Sequence, residues 1–207
     1  MNSFLKDEIN SLSPKSDSGS TRRGFLQGSI AAGFAAAVAP TGPLLAQVIK
    51  TDTAGLTAGM VEIPTSDRKI PAYRAMPAGK TKLGTVIVVH EIFSVHEYIQ
   101  DVCRRFAKQG YLAIAPDFFV RQGDVNAYKS IPDIFANVVS KVSDTQVLGD
   151  VDATMAWAAA NGGDPAKVGI TGFCWGGRIV WMASAANPKL KAGVAWYGRL
   201  MTMVNQA

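Results

Sequence analysis

The side chain best placed for chemistry is Cys174, in the stretch Val168-Gly-Ile-Thr-Gly-Phe-Cys-Trp-Gly-Gly-Arg178. The β-branched residues Val168, Ile170 and Thr171 predict a buried strand, Gly172 to Gly176 a tight turn, and the small-residue pattern from Gly177 to Ala186 a helix. Strand, turn and helix in that order make a nucleophile elbow, the G-x-S-x-G arrangement with cysteine in place of serine. Such a turn holds its central residue at strained φ/ψ, so the residues two before and two after it must be tiny. Gly172 and Gly176 meet that need, and Gly177 lets the helix approach the sheet. Helix N–H groups starting just past Cys174 favour its thiolate form. A glycine-rich turn around an inert, buried cysteine fits the same five residues.

Glu91 follows directly on the β-branched run Thr85-Val-Ile-Val-Val-His90. A carboxylate at that place can hold a thiol proton or tune a thiolate, though a solvated loop carboxylate has the same sequence signature. By the logic of the elbow, the backbone N–H of Trp175 is one oxyanion donor, and the loop after the first central strand supplies the second, at Ile92. His90 and His96 are the two histidines. His90 reads as a residue that shapes the Glu91 loop, and His96 as a residue at the start of a helix. Two histidines and one glutamate do not form a metal-ligand spacing, and Cys103 belongs to an apolar helical stripe, so neither metal nor cofactor is expected.

These residues need a frame to hold them. Met60–Ile63 and Lys69–Ala75 predict an antiparallel hairpin at a sheet edge, where Pro71 is tolerated. Thr85–His90 and Tyr111–Ala115 predict buried strands, with a helix over Glu97–Gln109 between them, and Ala192–Trp196 predicts one more strand. Ile131–Val142 reads as a loose helix, and Thr145–Asn161 carries the strongest helical pattern. Alternating strands and helices imply an α/β fold with a mostly parallel sheet, helices on both faces, and a site at the carboxyl ends of the strands. His90, Glu91, Asp117 and Cys174 all follow such ends. The chain of 207 residues is 48% hydrophobic and 18% charged, which is globular, and its net charge of +5 is scattered, which gives no nucleic-acid footprint.

Residues 1–46 are of another kind. A polar, Ser-rich start leads to Thr21-Arg22-Arg23-Gly24-Phe25-Leu26, then an Ala/Gly-rich run from Gly28 to Ala39, and small residues up to Ala46. That order is an export signal, and the paired arginines resemble a twin-arginine signal with cleavage near Ala46. The apolar run is far short of the roughly 20 residues that span a bilayer. The expectation is a periplasmic or secreted domain over residues 47–207, with the twin-arginine export machinery as its partner and no stable membrane span. In that oxidising setting a bridge between Cys103 and Cys174 is still not expected, because one lies in a packed helix and the other at a turn.

His90-Glu-Ile-Phe-Ser-Val95, Ala115-Pro-Asp-Phe-Phe-Val-Arg-Gln122 and Gly172-Phe-Cys-Trp-Gly-Gly177 together resemble the dienelactone hydrolase (carboxymethylenebutenolidase) family, over roughly Thr57 to Arg199. The resemblance implies an α/β-hydrolase fold and a Cys–His–Asp triad that opens a lactone or a small ester. It implies Cys174 as nucleophile, Glu91 as the carboxylate at its thiol, Ile92 and Trp175 as oxyanion donors, and Arg121 near the pocket mouth as a substrate-binding residue. A loop arginine pairing with Asp124 or Asp117 fits Arg121 as well. The stretch Gln122–Ser140 lacks the further arginine of family members that act on dienelactone. The family's triad aspartate and histidine lie downstream of the cysteine, yet Lys189–Ala207 holds neither. The expectation is therefore a C-terminally incomplete domain that is inactive or nearly so. Two alternatives remain at this stage: an esterase or peptidase of broader specificity, and a non-catalytic ligand-binding α/β module.

Overall fold

The computed structural model describes residues 50–198. The expected export signal lies outside them. The hairpin β1 (Leu56–Pro64) and β2 (Lys69–Pro77) is followed by β3 (Leu83–Val89), α1 (Glu97–Lys108) and β4 (Leu112–Pro116). A short α2 (Ile131–Asn137) then precedes α3 (Asp144–Ala160), β5 (Gly163–Phe173), α4 (Trp175–Ala186) and β6 (Leu190–Trp196). The six strands form one sheet in the order β1-β2-β4-β3-β5-β6. The pairs β3/β4, β3/β5 and β5/β6 run parallel, while β1/β2 and β2/β4 are antiparallel. This is the α/β architecture expected, with a mixed sheet.

Alternation along the central strands sorts the core into two layers. Val88, Ala113 and Ala115 face α1, where they pack with Ile99, Val102, Cys103 and Ala107. Ile87, Val89, Leu112, Ile114 and Ile170 face the other way, onto Val147, Val151 and Met155 of α3 and Ile179, Val180 and Ala183 of α4. Both faces of β3 and β4 are therefore covered, which is why their sequences are continuously apolar.

Three details depart from the sequence reading. β5 begins at Gly163, ahead of the expected start at Val168, and pairs there with Leu83 across a register shift. A Cβ on Gly163 would lie 2.5 Å from Thr85 Oγ1, so only glycine admits this early pairing. The hairpin lies at the sheet edge as expected, but Pro71 is on its inner strand, since β4 takes the other side of β2; it fits because that pairing stops at Ala72, and its carbonyl accepts the Asp117 N–H at 2.8 Å. The loose helix at Ile131–Val142 is two pieces, α2 and a 3-10 turn at Val139–Lys141, broken at Val138. Among the described residues β6 is bonded on its β5 side alone, leaving Val194 and Trp196 about half exposed. No helix among the described residues is long and apolar enough to cross a membrane.

Candidate active site

The parallel register sets the site. Val89 of β3 pairs with Gly172 of β5, so Glu91 and Cys174 each stand two residues past that rung, on neighbouring strand ends. Cys174 adopts φ 53°, ψ −116°, between the last residue of β5 and the first of α4. A side-chain-bearing residue rarely occupies that region, and strain of this kind persists only where its surroundings enforce it. Here three glycines do so. A Cβ on Gly172 would lie 2.5 Å from the Gly176 carbonyl oxygen, one on Gly176 2.5 Å from that of Val89, and one on Gly177 2.6 Å from that of Trp196. The Cys174 N–H donates to the Trp196 carbonyl at 3.0 Å, tying the turn to the end of β6 as well. Cys174 is partly exposed and forms no disulfide; Cys103 is buried, and burial pushes its thiol well up.

Trp175 is the first residue of α4, so its N–H is among those for which the helix offers no acceptor. Ile92 follows Glu91 past the end of β3, with its side chain 3% exposed. Glu91 is fully buried. Its Oε2 lies 3.0 Å from His96 Nε2, while Oε1 has no hydrogen-bond partner among the described residues.

His90 supports this loop from beneath. Its Nδ1 lies 2.6 Å from the Glu91 carbonyl oxygen, and its Nε2 accepts the Phe118 N–H at 3.2 Å. A carbonyl only accepts and an amide N–H only donates, so the proton must sit on Nδ1 and the ring is neutral. Burial lowers its pKa and outweighs the opposing pull of Asp117, 3.8 Å away. Trp175 stacks on this ring at 5.6 Å and Phe119 meets it edge-on at 4.7 Å. With both nitrogens committed and the ring enclosed, His90 shapes the Glu91 loop and has no lone pair left to act as a base.

Arg121 pairs with neither Asp124 nor Asp117. Its guanidinium is held by Asp67 (2.7 and 2.9 Å), Asp150 (2.7 and 2.9 Å) and Thr65 Oγ1 (3.0 Å). Two carboxylates already exceed its single charge, so a substrate carboxylate has nothing to gain there. Arg121 braces the β1–β2 turn against α3.

Two residues at the site escaped the sequence reading. His96, read as the start of a helix, does occupy that position, but its ring is turned to Glu91. Tyr197 stands just past β6 at φ 43°, more than half exposed as a residue, and its phenol is pushed up, first by desolvation and then by the Glu91 and Cys174 charges. Its place at the carboxyl end of a parallel strand was the available signal. No group of three or more His, Cys, Asp and Glu side chains among the described residues is arranged to hold a metal ion.

The model of the dienelactone hydrolase family matches residues 70–207, two thirds of the chain, which include Glu91, Ile92, His96, Cys174 and Trp175. The chain belongs to the dienelactone hydrolase family. Among members of that family it is 56% identical over 183 residues to a Methylorubrum extorquens protein named "Putative carboxymethylenebutenolidase", covering 87% of this chain and 62% of that relative. It is 51% identical over 170 residues to a Salmonella typhimurium protein of the same name, covering 82% of this chain and 62% of the relative. A crystal structure named "Putative Dienelactone Hydrolase", from Klebsiella pneumoniae, superposes with a TM-score of 0.69 at 55% identity, over 70% of this chain and 61% of that one. A cold-adapted esterase from an Arctic intertidal metagenomic library shares the fold, with a TM-score of 0.55 at 18% identity. The chain thus spans a little over three fifths of the length of these relatives.

Proposed function

We propose that this chain carries the nucleophile half of an ester-hydrolase site, in which Cys174 opens a lactone or a small carboxylic ester. The observation that carries the proposal is the enforced backbone of Cys174, at φ 53° among glycines that tolerate no Cβ. Strain of that kind in a partly exposed thiol between strand and helix serves presentation of sulfur, not packing. The thiol gives its proton to a neighbouring base, with Glu91 the carboxylate at hand, and sulfur attacks the carbonyl carbon. The developing oxyanion is received by the N–H groups of Ile92 and Trp175. The carbonyl re-forms as the alkoxide leaves with a proton, giving a thioester on Cys174 that water then hydrolyses.

That last step needs a base to activate water. His90, with both ring nitrogens committed, does not supply it. We infer that acylation of Cys174 outruns hydrolysis of the thioester. The experiment is stopped-flow hydrolysis of a small aryl ester by the purified chain. One equivalent of aryl alcohol released in a burst, absent in Cys174→Ala, supports the proposal. Sustained turnover unaffected by Cys174→Ala sinks it.

We also propose export of the folded domain by the twin-arginine route, on the strength of Arg22-Arg23-Gly24-Phe25-Leu26 and the short apolar run after it. Appearance of the processed chain in the periplasm, lost when Arg22 and Arg23 are both changed to lysine, is the expected result. Equal export of that double variant argues against the route.

A further inference from the structure

Glu91 combines full burial with an incomplete hydrogen-bond set. Oε2 faces His96 Nε2 at 3.0 Å, and Oε1 has no partner among the described residues. An ionised carboxylate only accepts, so the hydrogen between them belongs to His96 Nε2. His96 holds the N-cap position of α1, with extended backbone (φ −77°, ψ 175°) and no side-chain hydrogen bond to the helix. A residue at an N-cap ordinarily turns its side chain back to the first N–H groups. This ring is spent on Glu91 instead. Tyr98 stacks on it at 6.2 Å and Phe93 meets it edge-on at 6.4 Å, which fixes its plane, while its side chain remains 20% exposed and can exchange a proton with solvent.

We propose, building on the reading of Cys174 as nucleophile, that His96 is a positioning residue: its Nε2–H anchors Glu91 by Oε2, leaving Oε1 for the thiol proton.

Neighbouring groups do not compete for Glu91: both nitrogens of His90 are taken, and Glu97, next in sequence to His96, is bound to Arg104 at 2.6 Å.

The test reads thiol chemistry rather than ester turnover. Cys174 in the full chain is alkylated with iodoacetamide between about pH 5 and 9, and modification is mapped by mass spectrometry. Cys103, fully buried, stays unmodified and serves as an internal control. His96→Gln keeps an N–H donor near the Nε2 position, whereas His96→Ala removes it. His96→Ala is expected to be alkylated at Cys174 roughly three- to ten-fold more slowly than wild type, and His96→Gln to recover most of that rate as well as the unfolding midpoint. Equal rates for wild type and His96→Ala, or a His96→Gln as slow as His96→Ala, overturn the proposal. Resistance of Cys174 to alkylation at every pH overturns both it and the nucleophile reading. Alkylation that follows the expected split without any ester burst sinks the hydrolase reading alone.

Discussion

Gly176 and Val89 approach so closely that a Cβ on the glycine would lie 2.5 Å from the valine's carbonyl oxygen and 2.6 Å from that of His90. Both obstacles are backbone, at the last residue of the central strand β3 and the one just past it, which have little room to retreat. Gly176→Ala must therefore push α4 off the strand end or open the turn. The expected outcome is a loss of about 2–3 kcal/mol of stability, as for other overpacked sites. Cys174 alkylation should also lose any preference over a model thiol. Urea unfolding and the alkylation rate measure these separately, and a variant that is neutral in both would remove the close approach from the account of the elbow.

A second prediction isolates the strain at Cys174. Cys174→Ala and Cys174→Gly both remove the thiol, but only glycine relaxes at φ 53°, ψ −116°. Glycine also carries more entropy in the unfolded chain, which opposes its benefit by somewhat under 1 kcal/mol. The strain should win, leaving Cys174→Gly more stable than Cys174→Ala by about 1 kcal/mol. Equal midpoints in denaturant would show that the turn holds its central residue without strain.

How much of this was legible beforehand follows from the range of each interaction. The elbow announces itself because its requirements are local: Gly172, Gly176 and Gly177 are within three residues of the cysteine they serve. The two-faced burial of Thr85–Val89 shows as an unbroken apolar run for the same reason. The Glu91–His96 bond is nearly as local, five residues apart, yet it went unread because a histidine before a helix has several equally good uses. The partners of Arg121 could not be read because they lie 29 and 54 residues away, brought in by the hairpin turn and α3. The early start of β5 was hidden in Asn161-Gly-Gly-Asp-Pro165, where turn-forming residues enter a ladder through a gap at Thr85 that only glycine fits.

The buried neutral state of His90 gives stability a definite pH dependence. In the unfolded chain the ring takes up a proton around its ordinary value of 6.5, whereas burial lowers the folded value. Below that pH the unfolded state binds more protons, so stability falls as pH falls through about 6.5 and is insensitive to this group above about 7.5. The slope from one such group is at most about 1.4 kcal/mol per pH unit. His90→Asn retains an N–H for the Glu91 carbonyl, loses the acceptor for Phe118, and does not titrate. It should be less stable than wild type at pH 7.5, with a shallower loss between about pH 6.5 and 5, as read from urea unfolding across that range. Parallel curves would mean that His90 is charged when folded.

The last prediction concerns the brace formed by Arg121. Asp150, with its side chain 3% exposed, owes its tolerance of burial to this guanidinium, because burial pushes its carboxyl up while Arg121 pulls it down. Removing the arginine leaves a carboxyl that is shielded from water and has lost its cation. It can take a proton, which caps the damage, so Arg121→Ala should cost about 2 kcal/mol rather than the larger figures known for fully unpaired buried charges. Adding Asp150→Ala removes the stranded group and should recover a good part of that loss, a non-additivity that a double-mutant cycle detects directly. If Arg121 instead held substrate, its loss would weaken acylation by an aryl ester bearing a carboxylate far more than by a neutral one. The bracing arrangement predicts equal effects on the two esters, since every polar nitrogen of the guanidinium already faces Asp67, Asp150 or Thr65.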